Sequence, residues 1–215
     1  MQRITLENLL PRVFAGAEIP HGQVWLAHEL VFERGCRVIV AADSGRGKSS
    51  MVSYICGERS DYSGRISFDG RDIRSLGVKE WCDVRRRHIA VLPQEMRLFP
   101  ELSALDNVLV KNRLTGRYST AEIRDMLARL GLADRTDTPA GKLSIGQQQR
   151  VAIVRTICQP FDFIILDEPV SHLDEENNRL AAAMIEQAAE QQGAGIITTS
   201  VGNPLAIDAL TTLTL

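Results

Sequence analysis

The chain has 215 residues, 44% of them hydrophobic and 24% charged, with a formal net charge of -2. That length supports one compact unit with a substantial core, and that balance excludes a disordered or fibrous protein. A charge so near zero gives no general attraction to polyanions, so nucleic acid is not expected as a partner, and Arg85, Arg86, Arg87 and His88 read as a solvated face. The longest apolar runs, such as Val38 to Ala42 and Phe163 to Leu166, fall far short of the ~20 residues that cross a bilayer. The segment Met1 to Glu7 lacks the apolar stretch and cleavage site of a signal peptide, so a cytoplasmic location is expected. Cys36, Cys56, Cys82 and Cys158 are widely spaced, unlike a zinc site, and read as buried small apolar residues without disulfides.

In chain order, Ile4/Leu6, Val24/Leu26 and Leu30/Phe32 alternate with period two between Gly and Pro punctuation, which predicts short antiparallel strands. Val38-Ile39-Val40 is apolar throughout, as is a strand covered on both faces. Arg65-Ile66-Ser67-Phe68 followed by Asp69-Gly70 predicts a strand entering a hairpin turn, because Asp-Gly tolerates positive φ. Ile89 to Leu92, Phe163 to Leu166 and Ile196 to Thr199 complete a largely parallel central sheet. Ser119-Thr120-Ala121-Glu122 has capping-box spacing and starts an amphipathic helix carrying Ile123, Met126, Leu127 and Leu130, stopped by Gly131. Further helices are expected from about Gln147 to Cys158, ahead of Pro160, and from Glu175 to Gln192, ahead of Gly193.

The chemistry concentrates where the first buried strand ends. Ala42-Asp43-Ser44-Gly45-Arg46-Gly47-Lys48-Ser49-Ser50 lies between that strand and the helix-like segment Met51 to Cys56. A glycine-rich turn at a helix N-terminus aims backbone N–H groups at an anion, Lys48 adds charge for β- and γ-phosphates, and Ser49 can ligate Mg2+. Asp167 and Glu168 follow the buried strand Phe163 to Leu166, where open α/β sheets place their sites. Asp167 suits the Mg2+ shell, and Glu168 suits a base for the water attacking the γ-phosphorus. Gln94, after the strand Ile89 to Leu92, has an amide suited to Mg2+ and the attacking water.

Leu143-Ser144-Ile145-Gly146-Gln147-Gln148-Gln149-Arg150, immediately before a helix, resembles the LSGGQ signature of the ABC ATPase family. Its order and spacing relative to the phosphate loop, Gln94 and the acidic pair are also similar to that family. The resemblance covers nearly the whole chain and implies an α/β P-loop NTPase (RecA-like) core with an antiparallel β-subdomain and an inserted helical subdomain. The core and β-subdomain would take residues 1–94 and 143–215, the helical subdomain 95–142. It further implies head-to-tail pairing, as a homodimer or with a related ATPase subunit, in which Ser144, Ile145, Gly146 and Gln147 of one subunit cap the ATP held by Lys48 of the other. Ser171-His172-Leu173-Asp174 resembles the family's D-loop; Asp174 also suits a helix N-cap. Phe14 is the nearest candidate to stack on adenine, or an ordinary core residue.

Three positions depart from the family pattern. Ala42 replaces the first loop glycine, which is harmless unless that backbone needs positive φ. Ile145 replaces the first signature glycine, and Ser200-Val201 stand where the family has a histidine after the last strand, so Ser200 is aligned with the catalytic switch position. The implied function is the ATP-binding subunit of an ABC transporter, peripheral to the inner face of the membrane and working with integral membrane permease subunits. The alternative is a soluble or hydrolytically weak ABC ATPase acting as an ATP-responsive interaction subunit. ATP hydrolysis is expected to be slow without the histidine.

Overall fold

The computed structural model describes residues 1–16, 23–208 and 211–215. A five-stranded sheet runs in the order β6-β7-β8-β3-β9, built from β3 (Arg37–Ala41), β6 (Ile89–Leu92), β7 (Phe163–Asp167), β8 (Gly195–Ser200) and β9 (Thr211–Thr214), and every pairing in it is parallel. A second sheet, ordered β2-β1-β4-β5, is antiparallel and comprises β1 (Arg3–Pro11), β2 (Leu30–Glu33), β4 (Tyr62–Phe68) and β5 (Arg71–Asp72). The expected hairpin joins β4 to β5, with Asp69 and Gly70 at φ 50° and 85°.

Side-chain alternation along the parallel strands divides the interior in two. Phe163, Ile165, Ile197, Val38 and Val40 join a core with α1 (Lys48–Ile55) and the antiparallel sheet. Ile164, Leu166 and Ile196 face the other way, into a core formed with α3 (Ala104–Asn112), α4 (Thr120–Arg129), α5 (Ile145–Ile157) and α6 (Glu175–Glu190). Ile164, Ile165 and Leu166 are all fully buried, and each contributes about 1.5–3 kcal/mol of burial. That is why β7 reads as an unbroken apolar run. Within residues 95–142, α3 and α4 pack on each other and on α5, so this segment shares the second core with the sheet. The short α2 (Val78–Asp83) follows the hairpin.

The capping box at Ser119 starts α4, with Glu122 returning the bond to the Ser119 N–H. Another box starts α5 two residues before the expected Gln147: Ser144 is the N-cap, and its partner is Gln147. The expected strand at Val24/Leu26 does not form. Trp25, between them, is buried rather than turned outward, and Leu26 has φ 60°, a left-handed conformation that a strand cannot include. The Leu26 N–H donates instead to the Leu9 carbonyl at 3.0 Å.

Candidate functional site

β3 delivers the chain to the carboxyl edge of the parallel sheet, where residues 42–47 turn into α1. Gly45 and Gly47 turn it with φ of 79° and 96°, where a side chain would cost about 1–2 kcal/mol. A Cβ on Gly47 would also stand 3.0 Å from Trp25 Cζ2 and 3.3 Å from Phe14 Cε2. The indole N–H of Trp25 donates to the Arg46 carbonyl at 3.1 Å. Phe14 therefore reaches the phosphate loop, and Trp25 fastens it. Ala42 lies outside the left-handed region, so its replacement of a glycine strains nothing.

Lys48 is only 4% exposed. Its ammonium donates to the Ala42 and Asp43 carbonyls, each at 2.8 Å, and lies 3.9 Å from a Glu168 carboxylate oxygen. Two of its three protons are thus used, leaving one for an anion. A cleft of about 350 Å³ opens here, lined by Ser44, Gly45 and Gly47–Ser50, with Gln94, Glu168 and Val201 closing it. Asp43 and Arg46 belong to the loop but do not line the cleft. Asp167 and Ser49 share a small adjoining recess, so Ser49 borders both spaces.

The acidic pair leaves the end of β7 in a strained turn, with Glu168 at φ 51°. The Glu168 N–H donates to Thr199 Oγ1 at 3.1 Å, and that hydroxyl donates to Asp167 Oδ1 at 2.6 Å. The Glu168 carbonyl accepts from Gln149 Nε2 at 3.1 Å, and its carboxylate accepts from Gln94 Nε2 at 3.4 Å. Lys48, Gln94 and Glu168 are thereby brought together, as the sequence reading expects.

Ser200 is not brought to this site. It is 5% exposed, its hydroxyl has no partner among the described residues, and it lines a separate cavity of about 400 Å³ with Ile39, Ala41, Leu205 and Ile207. The reason is strand alternation: Asp167 pairs in register with Thr199, so Thr199 shares its face and Ser200 points to the other. The residue beyond β8 that does line the cleft is Val201, 45% exposed.

Ser144, Ile145, Gly146 and Gln147 form the N-terminus of α5, away from the cleft. The Ser144 hydroxyl accepts from the Gln147 N–H at 3.3 Å, keeping its own proton for an outside acceptor, and Ile145 is 51% exposed. Gly146 has no room for a side chain, since a Cβ would lie 2.9 Å from the His172 carbonyl. Asp174 caps α6 by accepting from the Asn177 N–H at 2.8 Å, and that bond holds its carboxyl below the usual range. Trp25, Thr199 and Gln149 are contacts that sequence reasoning missed.

A sequence profile described as ABC transporter matches residues 27–171, more than half of the chain. The chain belongs to the ABC transporter family. It is 35% identical over 168 residues to an uncharacterized ABC transporter ATP-binding protein of Mycobacterium tuberculosis, covering 77% of this chain and 51% of that protein. It is 40% identical over 154 residues to the macrolide export ATP-binding/permease protein MacB of Rhodopseudomonas palustris, covering 69% of this chain and 23% of that protein. The chain thus spans about half or less of the length of these ABC relatives. The dimeric structure of a bacterial ABC transporter cassette superposes with a TM-score of 0.81 at 24% identity, covering 98% of this chain and 94% of that one. That likeness establishes the fold: an α/β P-loop NTPase core of the ABC cassette type. Among the described residues, no helix is long and apolar enough to cross a membrane.

Proposed function

We propose that this chain is the ATP-binding subunit of an ABC transporter, hydrolysing Mg-ATP at the cleft between the phosphate loop, Gln94 and Glu168. The observation that carries this reading is the convergence of Lys48, Ser49, Gln94 and Glu168 on one polar cleft at the carboxyl edge of the sheet. The loop N–H groups and the Lys48 ammonium take the β- and γ-phosphates. Among the described residues, no group of three or more His, Cys, Asp or Glu side chains gathers to hold a metal. The donors available are Ser49, Gln94 and Asp167, which suits Mg2+ arriving with the nucleotide and keeping phosphate oxygens as ligands. The ion supplies charge neutralisation on those oxygens when bound. Glu168 accepts a proton from the attacking water as its oxygen bonds the γ-phosphorus and the bond to the bridging oxygen breaks, leaving ADP and inorganic phosphate.

Two copies, or this chain and a related subunit, close head to tail, with the Ser144 hydroxyl and the N-terminus of α5 of one meeting the γ-phosphate of the other. Phe14, beside Gly47, contributes to the adenine side, and Asp174 connects the two sites. Residues 95–142 act as the helical subdomain that receives membrane permease subunits, with the cassette at the inner face of the membrane. The fusion of ATP-binding and permease functions in the MacB relative supports a permease partner. Val201, the residue beyond β8 that lines the cleft, offers the developing phosphate charge no donor, so turnover is slow. The test is Glu168→Gln: it binds ATP, loses about 10²-fold or more of its turnover, and accumulates as an ATP-bound dimer in light scattering. Full activity in that variant removes Glu168 from the mechanism.

A further inference from the structure

Glu168 sits at φ 51°, a conformation that a glutamate keeps only where its surroundings impose it. Two side chains impose it, and neither lines the cleft. Thr199, 1% exposed, accepts the Glu168 N–H and donates to Asp167, so both capacities of its hydroxyl are used. Gln149, 2% exposed and carried on α5, donates to the Glu168 carbonyl at 3.1 Å and to Ser171 Oγ at 3.3 Å. Its oxygen accepts the His172 N–H at 3.0 Å. The backbone groups on either side of the Glu168 Cα are therefore fixed by different elements, one on β8 and one on α5. With both fixed, the carboxylate is directed between Lys48 and Gln94.

We infer that Gln149 and Thr199 are positioning residues that hold the Glu168 backbone in its left-handed turn and so set the aim of its carboxylate. The inference rests on reading Glu168 as the base. It links α5, whose first residues carry the signature, to the reacting end of the cleft by a side chain that does not line the cleft. Misplacing a reacting group by about 1 Å costs on the order of 10²-fold in rate while leaving the bound substrate's other contacts intact. The signature of the clamp is thus a loss in kcat without a loss in KM.

The test measures phosphate release and ATP affinity on the full chain for Gln149→Met, Thr199→Val, Thr199→Ser and Glu168→Gln. Thr198→Val is the control, because the Thr198 hydroxyl is buried without a partner among the described residues and the alternation of β8 turns it to the opposite face from Thr199. Gln149→Met and Thr199→Val lower kcat by about 10- to 100-fold, with KM and ATP affinity within about twofold of the starting protein. Thr199→Ser keeps most of the rate, and Thr198→Val keeps all of it. Because Thr199 also bonds Asp167, the measurement is repeated across a Mg2+ titration, and the deficits persist at saturation. The inference is overturned if both variants turn over normally while Glu168→Gln is inactive, or if their rate loss is matched by an equal loss of ATP affinity. It is overturned too if excess Mg2+ restores Thr199→Val while Gln149→Met is normal. Should Gln149→Met not fold, the Thr199 pair decides. An active Glu168→Gln would instead strike the reading of the base itself.

Discussion

The two faces of β8 carry nearly the same residues and do opposite things. On one, Thr199 is fully bonded between Asp167 and the Glu168 N–H, and Val201 beyond it borders the cleft. On the other, the Thr198 and Ser200 hydroxyls are buried with no partner among the described residues, and Ser200 lines a largely apolar cavity. A hydroxyl has value only where a donor or acceptor meets it, and otherwise it is a desolvation cost. Function on this strand is decided by parity more than by residue type.

That contrast is open to direct attack, and the largest effect expected is on the cleft side. Lys48→Ala removes a charged phosphate contact worth about 1.5–3 kcal/mol, lowering ATP affinity by about one to two orders of magnitude in calorimetry. Ser200→Ala, on the opposite face, leaves that affinity unchanged. The sharpest test of parity comes next: Val201→His places a donor at the cleft and accelerates phosphate release at saturating Mg-ATP by about tenfold or more. Ser200→His points the same ring into the other cavity and gives no acceleration. The opposite pattern in those two variants would reverse the assignment of faces.

An effect on stability rather than turnover is expected at the other end of β7. There Asp162 lies 2.7 Å from the Met1 amino group, 2.6 Å from His88 Nδ1 and 3.2 Å from Arg34. Burial alone would raise its carboxyl, but the hydrogen bonds from the amino group and His88, with the charges of the amino group and Arg34, hold it below the usual range. Its folded value being depressed, its contribution is complete above the ordinary carboxylate value of about 3.9 and is lost as pH falls through the lower folded value. Asp162→Asn therefore destabilises the chain by about 1.5–3 kcal/mol near neutrality, and the gap to the starting protein closes in acid unfolding. The smallest effect belongs to Thr198→Val, which removes an unpaired buried hydroxyl and raises stability by about 1 kcal/mol, a melting shift of about 2–4 °C.

Much of the fold was legible because buried parallel strands must be apolar on both faces, and Val38 to Val40, Ile89 to Leu92 and Phe163 to Leu166 are. The hairpin and the start of α4 were legible because Asp-Gly and the Ser119-x-x-Glu122 box satisfy backbone demands locally. Val24/Leu26 misled because Trp25 is drawn inward to the phosphate loop, a demand that arises 21 residues away. The phosphate loop, Gln94 and the acidic pair were legible as motifs, since the chemistry they suit fixes residue type and spacing. Ser200 misled because alignment by spacing ignores which way a strand residue points. Gln149 and Thr199 look like ordinary polar residues until contacts 19 and 31 positions apart bring them to Glu168.

Helix α5 has a mechanical consequence. Its 13 residues span about 20 Å, with Ser144 and Ile145 exposed at one end. Partway along, Gln149 grips the Glu168 turn, and near the far end Arg155 donates to the Met96 and Arg97 carbonyls, two consecutive left-handed residues after Gln94. Both loops that close the cleft are therefore bolted to one shaft. Losing the Gln149 grip would free the Glu168 turn while Arg155 still held Met96 and Arg97, and losing the Arg155 grip would do the reverse.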